Sequence, residues 1–248
     1  MKKMKALAVA IVLVVAFSSV GAFAEDTKVS GYASADIMSN YVWRGQKLSN
    51  SWVVQPSVGI GYGSFSTNLW ANWDSDWEDE NELTETDLTL DYGFAFDKLA
   101  LNVGYIYYGF ESASDTQELY VALAYDVLLS PSLTVYYDYD EGQGAFAILA
   151  IGHSFKIGEM DLNLGASASC NFENKIMGTD ADGDEFTGLY NGEISASLAV
   201  PITSALSLEP KIAFSFALSD DAEDAIKSLS NDEDSSVVYG GLGVSLSF

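Results

Sequence analysis

The residues best placed for hydrolytic chemistry are a single histidine and the serine beside it. His153 is the only histidine in the chain, and Ser154 follows it directly. Neighbouring side chains on a strand point to opposite faces, so these two cannot form the hydrogen bond that activates a serine nucleophile. A serine on another strand could pair with His153, which keeps a lipid hydrolase as an alternative. We expect a protein that is not an enzyme.

A second candidate chemistry is cation binding in the segment 180–185. Carboxylates alternate around Gly183 there, and oxygen ligands in such loops bind calcium. The segment lacks the distant bidentate glutamate of a full calcium loop, so a solvated acidic loop is the alternative. The candidate ligands are Asp180, Asp182, Asp184 and Glu185. We expect no other cofactor.

The charge balance favours cations as the molecules that this protein handles. The chain carries 36 acidic and 11 basic residues, a formal net charge of -25, which argues against nucleic acid as a partner. The strand pattern described below places many of these acids at inward-facing positions, where Arg44 and Lys211 are the only clear basic residues. The candidate lining residues are Asp36, Arg44, Asp87, Asp91, Glu118, Asp126, Asp138, Asp140, Asp161, Glu193, Glu209 and Lys211. Such a lining would concentrate cations, unless the acids form internal hydrogen-bond networks that fill the interior.

Period-two alternation supplies the elements that would position these side chains. In 117–127, Leu119, Val121 and Leu123 alternate with polar or small residues, a pattern typical of strands. Each alternating tract is about as long as a tilted transmembrane strand of ~9–11 residues. The tracts predict about twelve strands, at 29–43, 51–62, 65–74, 84–96, 99–110, 117–127, 132–140, 144–156, 160–172, 188–200, 206–217 and 235–248.

The connections between these tracts alternate between tight and long. Tight turns are expected near residues 63–64, 97–98, 130–131, 158–159 and 203–204, and longer polar connections near 44–50, 75–83, 111–116, 141–143, 173–187 and 218–234. This is the pattern of an up-and-down antiparallel barrel with short periplasmic turns and longer outer loops. With an even strand number, both chain ends fall on the short-turn side.

A soluble sandwich or lipocalin-like barrel also alternates, so a second signal is needed. Aromatic residues gather at the expected strand ends: Tyr41, Trp43 and Trp52 at the outer rim, and Tyr62, Phe65, Phe94 and Phe96 at the inner rim. Rings at interface depth are typical of transmembrane barrels. The polar parity is also rich in glycine, alanine, serine and asparagine. We therefore expect an all-β transmembrane barrel in the outer membrane of a Gram-negative bacterium.

Both ends of the chain fit export to that membrane. Residues 1–24 combine lysines, a short apolar run and an Ala-Phe-Ala ending, the parts of a cleaved signal peptide. Residues 25–248 are then the barrel domain. The last strand ends in Phe248, which resembles the signal read by the barrel assembly machinery. Outer-membrane lipid and lipopolysaccharide are the other expected partners, the latter through divalent ions bridged by the acidic runs 74–87 and 220–234.

The segment Ser39-Asn-Tyr-Val-Trp-Arg-Gly-Gln46 closely resembles the opening signature of the TorF family, a group of conserved proteobacterial proteins classed as porins (Gcw_chp-like). The tracts 51–74, 86–110 and 117–125 follow the same order of blocks. The resemblance implies an outer-membrane barrel and names no solute.

Together these features predict a porin for passive diffusion of small cationic or neutral solutes. Eight strands leave an interior just filled by side chains, and ~16–18 strands leave an aqueous channel. Twelve strands lie between, so the sequence leaves open whether the lumen is open or filled. A non-conducting structural or adhesive barrel is the alternative, and its function would lie in its outer loops.

Overall fold

A closed antiparallel barrel of twelve strands forms the body of the protein. The computed structural model describes residues 29–77 and 80–248. For residues 76, 77, 80 and 81 it describes the backbone alone. The predicted signal peptide, residues 1–24, lies outside the described residues. The barrel strands are β1 (Val29–Met38), β4 (Val53–Tyr62), β5 (Phe65–Trp77), β6 (Glu80–Phe96), β7 (Leu99–Phe110), β8 (Thr116–Tyr125), β9 (Ser132–Asp138), β10 (Gly144–Ile157), β11 (Met160–Phe172), β12 (Thr187–Pro201), β13 (Leu206–Ala217) and β14 (Ser236–Ser247).

The ring closes because β1 pairs with β4 on one side and β14 on the other. Met38, the last residue of β1, lies opposite both Val53 and Gly241. Every strand therefore has two neighbours, so that all ladder hydrogen bonds are made inside the ring, as a bilayer requires. The predicted fold class and strand number are confirmed.

Alternation sets which side chains face out. Along β8, Leu119, Val121 and Leu123 are exposed, whereas Tyr120 and Ala122 are buried inside the barrel. The same alternation in the other strands gives the ring an apolar outer surface. A closed ring with an apolar outside and a polar inside is suited to hydrocarbon, because neither an edge nor an unpaired backbone group faces lipid.

Short turns and long connections occupy opposite ends, as the sequence predicts. Two-residue turns join β4 to β5, β6 to β7 and β10 to β11 at one end, which we call the short-turn rim. One difference concerns the predicted connection 75–83, most of which is strand, because β5 continues to Trp77 and β6 begins at Glu80. The exposed rings of Tyr62, Phe94 and Phe96 lie near the short-turn rim.

The first connection departs most from prediction. The tract 29–43 is not one strand: β1 ends at Met38, and a small hairpin follows, formed by β2 (Val42–Trp43) and β3 (Gln46–Lys47). Arg44 and Gly45 form its two-residue turn with φ of 49° and 89°, the left-handed pair typical of a type I′ turn. Tyr41 and Val42 are buried, so the prediction that Tyr41 and Trp43 sit in the outer aromatic girdle is wrong.

The last long connection also folds inward. The acidic segment 220–234, expected to be a solvated loop, contains helix α1 (Asp220–Leu229). The Ser219 side chain caps its N-terminus by accepting from the Ala222 amide, and acidic residues fill the first turn, where the helix dipole favours them. Ala222, Ala225 and Ile226 are fully buried. None of the described helices is long and apolar enough to cross a membrane.

Candidate functional site

A cavity runs along one side of the lumen. It has a volume of about 630 Å³ and extends from Ser64 and Ser247 at the short-turn rim to Tyr41 and Trp43 deep in the barrel, and we call it the vestibule. It exists because small residues occupy the inward positions of the adjoining wall, among them Gly59, Gly61, Gly243 and Ser245. Short turns face the periplasm in barrels of this kind, which places the vestibule on that side.

The opposite side of the lumen is packed with large side chains. Tyr120, Tyr136, Phe146 and Ile148 are buried in one apolar cluster on strands β8, β9 and β10. The cluster continues to Tyr190 on β12 and to the buried face of α1. A twelve-stranded ring is wide enough for water, but these side chains and the inward-folded connections fill its long-loop half.

Carboxylates dominate the charge of the vestibule. Its lining includes Asp36, Asp87, Asp91 and Glu209, against the single ammonium group of Lys211. Lys211 Nζ lies 3.1 Å from Asp36 Oδ1, so this cation is already paired. The wall therefore keeps an excess of negative charge.

The remaining vestibule acids differ in how they are held. Asp91 accepts hydrogen bonds from Asn102 Nδ2 and from the Tyr120 hydroxyl, each 2.6 Å long. Oxygen atoms Asp87 Oδ1 and Glu209 Oε1 are buried and have no hydrogen-bond partner among the described residues. Buried carboxyl oxygens need a hydrogen-bond partner, so both positions can bind water or a polar group in the cavity.

Two inward-folded connections close the inner end of the vestibule. The plug consists of residues 39–51, which carry the β2–β3 hairpin, and residues 219–232, which carry α1. The two parts are joined: the Lys47 amide donates to Ser230 Oγ (3.1 Å), and the Asn231 amide donates to the Lys47 carbonyl (2.9 Å). Lys47 Nζ also lies 2.6 Å from Asp232 Oδ2. The hairpin and the helix therefore form one body inside the ring.

Arg44 at the tip of the hairpin makes the strongest contact between plug and wall. Its Nη1 and Nη2 atoms donate to the two oxygens of Glu118 at 2.8 and 2.7 Å. The side chains are 6% and 0% exposed. The guanidinium also lies over the rings of Trp43, Tyr136 and Phe146, with 4.4 to 4.6 Å to the ring centroids. This bidentate, ring-enclosed geometry suits arginine and no other cationic side chain.

Two further hydrogen bonds hold the hairpin against the wall. Gln46 Nε2 donates to the Tyr190 hydroxyl (3.1 Å), which in turn donates to the Met177 carbonyl (2.9 Å). The Tyr41 hydroxyl bonds to Glu85 on β6, and burial raises the pKa of this phenol well above its usual value, with the Glu85 charge adding to the effect. Tyr41 therefore stays protonated and available as a donor.

The other predicted lining residues lie away from the vestibule. Asp138 is fully buried at the end of β9, where it accepts from Thr116 Oγ1 and from the Asp140 and Gly142 amides. Asp126 and Asp140 fall beyond the ends of their strands, because β8 ends at Tyr125 and β9 at Asp138. Asp126 is exposed in a short turn.

Two further acids of the predicted lining face the interior at other places. Asp161 pairs with Lys156 at 2.6 Å near the short-turn rim. Glu193 accepts from the Tyr239 hydroxyl at 2.8 Å and borders a separate cavity of about 50 Å³ behind the hairpin. The structure thus gathers Asp36, Asp87, Asp91, Glu209 and Lys211 in the vestibule, and it joins Arg44 of the plug to Glu118 of the wall.

The candidate calcium ligands lie in the connection between β11 and β12, where Asp180 is half-buried and Asp182, Asp184 and Glu185 are exposed. Asp180 Oδ1 accepts from the amides of Asp182 and Asp184, each at 3.0 Å, so it serves the loop itself. Glu185 Oε1 lies 3.9 Å from Lys175 Nζ. Within residues 29–77 and 80–248, no three acidic, histidine or cysteine side chains converge as a metal would require. Calcium binding by this segment stays a prediction.

His153 lies on the outer face of β10, where its ring contacts Phe155 at 4.6 Å. Its partner across the β10–β11 ladder is Leu164. None of the outward-facing side chains of β11 carries a hydroxyl group. They are Met160, Leu162, Leu164, Ala166, Ala168, Cys170 and Phe172.

Several residues that build the site carry no charge pattern that would predict them. Tyr41, Gln46 and Tyr190 matter only because the hairpin enters the barrel. Glu85 shares the inward parity of Asp87, and this spacing could have identified it.

Known structures resemble this ring. The NanC porin aligns with a TM-score of 0.51 and 13% identity over 88% of this chain and 99% of that chain. The fold is that of a Gram-negative outer-membrane barrel. The COG4313 outer membrane channel from Pseudomonas putida F1 aligns at TM-score 0.47 and 8% identity (89% and 94% covered), and a calcium-bound dimer of the Salmonella typhi outer membrane phospholipase at 0.47 and 15% (88% and 90%). No protein-family profile and no curated protein sequence matches the chain.

Proposed function

We propose that this outer-membrane barrel is a porin of the TorF type for passive diffusion of small cationic or neutral solutes. The vestibule supports this proposal most directly. It is a cavity of about 630 Å³ with carboxyl groups in its wall that reaches one rim of the barrel, within the size range of small-molecule sites. The resemblance of residues 39–46 to the TorF signature, and the likeness of the fold to a porin, point in the same direction.

Cation preference follows from the unbalanced carboxylates of the vestibule. Lys211 is paired with Asp36, so Asp91 and Glu209 face the cavity without a cation among the described residues. Rings of carboxylates raise the local concentration of cations and repel anions. The permeating species would therefore be metal cations, amines or uncharged solutes.

Planar-bilayer recording of the refolded protein tests both parts of the proposal. We expect channels whose reversal potential in a potassium chloride gradient has the sign of cation preference. The double variant Asp91→Asn/Glu209→Gln should move that potential toward zero. Absence of any conductance from the plug-free variant described in the next subsection would refute the porin assignment.

A matched control separates vestibule acids from buried structural acids. Asp138 carries the same charge but holds a connection, with no contact to the vestibule. Asp138→Asn should leave the reversal potential unchanged. A shift from Asp138→Asn about half as large as that of the double vestibule variant, in proportion to the charge removed, would mean that overall charge, and not the vestibule, sets the preference.

The alternative is a barrel that does not conduct, and the plug is the observation that favours it. If the plug never leaves, the barrel would serve the membrane through its outer face and loops. We do not propose enzyme activity, because His153 faces outward beside Leu164 and Phe155 and has no neighbouring hydroxyl on β11. Lipopolysaccharide at the acidic outer side and the assembly machinery at Phe248 belong to the proposal as partners.

A further inference from the structure

We infer that the plug is a gate, and that the buried Arg44–Glu118 ion pair is the latch that holds it shut. This inference rests on the proposed porin function, and it concerns how the lumen opens. Its starting point is the topology of the ring. β1 pairs directly with β4 up to Met38 and Val53, so the barrel is closed without any residue of the plug.

The hairpin carries its own backbone hydrogen bonds. Val42 pairs with Lys47 and Trp43 with Gln46, the Leu48 amide donates to the Tyr41 carbonyl, and the Tyr41 amide donates to Ser49 Oγ. Its links to the helix segment likewise stay within the plug. Apart from Ser39 at its base, whose amide donates to the Gly240 carbonyl (2.8 Å), the plug can therefore leave the lumen as one body without breaking a hydrogen bond of any barrel ladder.

Side chains make the contacts that tie the hairpin to the wall, and one of these is an ion pair. Gln46 with Tyr190 and Tyr41 with Glu85 are hydrogen bonds to side chains of the strands. Arg44 with Glu118 is bidentate and almost fully buried. A buried ion pair is a poor way to add stability, since apolar groups of similar volume do as well, and its best-attested roles are to fix register and to act as a switch.

The position of the pair fits a latch. Arg44 is at the tip of the hairpin, the point farthest from its attachment at β1 and β4. Its contact with Glu118 therefore restrains the part of the hairpin that would move farthest. Tyr41 and Trp43 on the same hairpin form the inner end of the vestibule. Movement of the hairpin would therefore extend the vestibule toward the long-loop side, along the wall of small residues.

Conductance of three variants tests the latch. Arg44→Ala/Glu118→Ala removes both charges together, so no unpaired ion is left buried. Lys156→Ala/Asp161→Ala removes an ion pair of the same chemistry at the exposed short-turn rim and serves as the control. In the plug-free variant, residues 40–50 and 219–232 are each replaced by a glycine-serine linker of equal length. Folding of each is verified by its heat-dependent mobility in gel electrophoresis.

We expect the wild type to open rarely and the latch variant to open about tenfold more often or more, because a two-state equilibrium shifts with the interaction lost in one state. The plug-free variant should be open continuously, and the rim control should behave as the wild type. A folded latch variant with wild-type gating, beside a conducting plug-free variant, would overturn the latch and leave the porin proposal intact. A silent plug-free variant would overturn both.

A reversible tether provides a second measurement. A Cβ atom at Gly45, where φ is 89°, would lie 3.0 Å from Asn191 Cβ on β12, about 0.5 Å short of the usual Cβ separation of a disulfide, so the hairpin tip must move outward slightly when the bond forms. In a Cys170→Ser background, Gly45→Cys/Asn191→Cys added to the latch variant should close the channel on oxidation and release it on reduction. Openings that persist in the oxidised protein, with the disulfide verified by mass spectrometry, would show that the hairpin is not the gate.

Discussion

The contact between Arg44 and Glu118 predicts a large, non-additive effect on stability. Arg44→Met leaves Glu118 buried beside Tyr108 without a cation, and Glu118→Leu leaves the guanidinium buried without an anion. Breaking a buried pair in this way costs about 3–5 kcal/mol, whereas apolar replacement of both partners at similar volume is close to neutral. We therefore expect each single variant to lose ~3–5 kcal/mol of unfolding free energy and the double variant to lose ~1–2 kcal/mol.

Unfolding by guanidinium chloride in phospholipid vesicles, followed by tryptophan fluorescence, measures this double-mutant cycle. Trp43 is a suitable probe because it lies directly against the side chain of Arg44. The predicted coupling energy is about 4 kcal/mol or more, above the ~0.5–3 kcal/mol usual for neighbouring residues. The exposed pair Lys156–Asp161, treated in the same way, should give about 0–1 kcal/mol. If the losses from Arg44→Met and Glu118→Leu simply add to within about 0.5 kcal/mol, the pair does not act as a unit and the account of the plug given above is wrong.

Three further predictions concern the helix, the lipid face and the end of the chain. Ile226→Ala, which empties a fully buried site on α1, should lower the unfolding free energy by ~2–5 kcal/mol and speed proteolysis within residues 219–232. Glu223→Ala, on the exposed side of the same helix, should have neither effect. Val121→Arg, midway along β8 on the outer face, should lower the unfolding free energy in vesicles by ~2–4 kcal/mol, against ~0–1 for Leu128→Arg in the turn; equal losses would contradict the assignment of Val121 to the hydrocarbon. Deletion of Phe248 should reduce the folded barrel recovered from outer membranes of an expressing cell, and unchanged recovery would argue against its role in assembly.

The barrel itself could be predicted because alternation is a local property. Each strand repeats its own in-and-out pattern, and tight turns separate the strands at nearly regular intervals. The ends of the strands were predicted less accurately, because β5 and β6 run through the acidic segment predicted as a connection. Acidic residues can lie in a strand when it rises beyond the membrane, because both faces then meet water.

The plug could not be predicted by the same means. Tyr41, Val42 and Trp43 continue the composition of a strand, and only the turn at Arg44-Gly45 marks a reversal. Arg44 and Glu118 are 74 positions apart, so their pairing depends on the hairpin entering the lumen. The helix did carry a readable signal, since Ser219 precedes an acidic first turn and apolar residues recur at 222, 225, 226 and 229. The excess of acids in that segment concealed it.

The uneven filling of the interior has a consequence for the shape of what can enter. Tyrosines and a phenylalanine crowd one side, and glycines and serines line the other, so the free cross-section lies off the barrel axis against the seam where the first and last strands meet. A molecule inside would rest on backbone and hydroxyl groups and be limited by its narrowest dimension. At equal volume, flat or thread-like molecules would fit where compact branched ones would not.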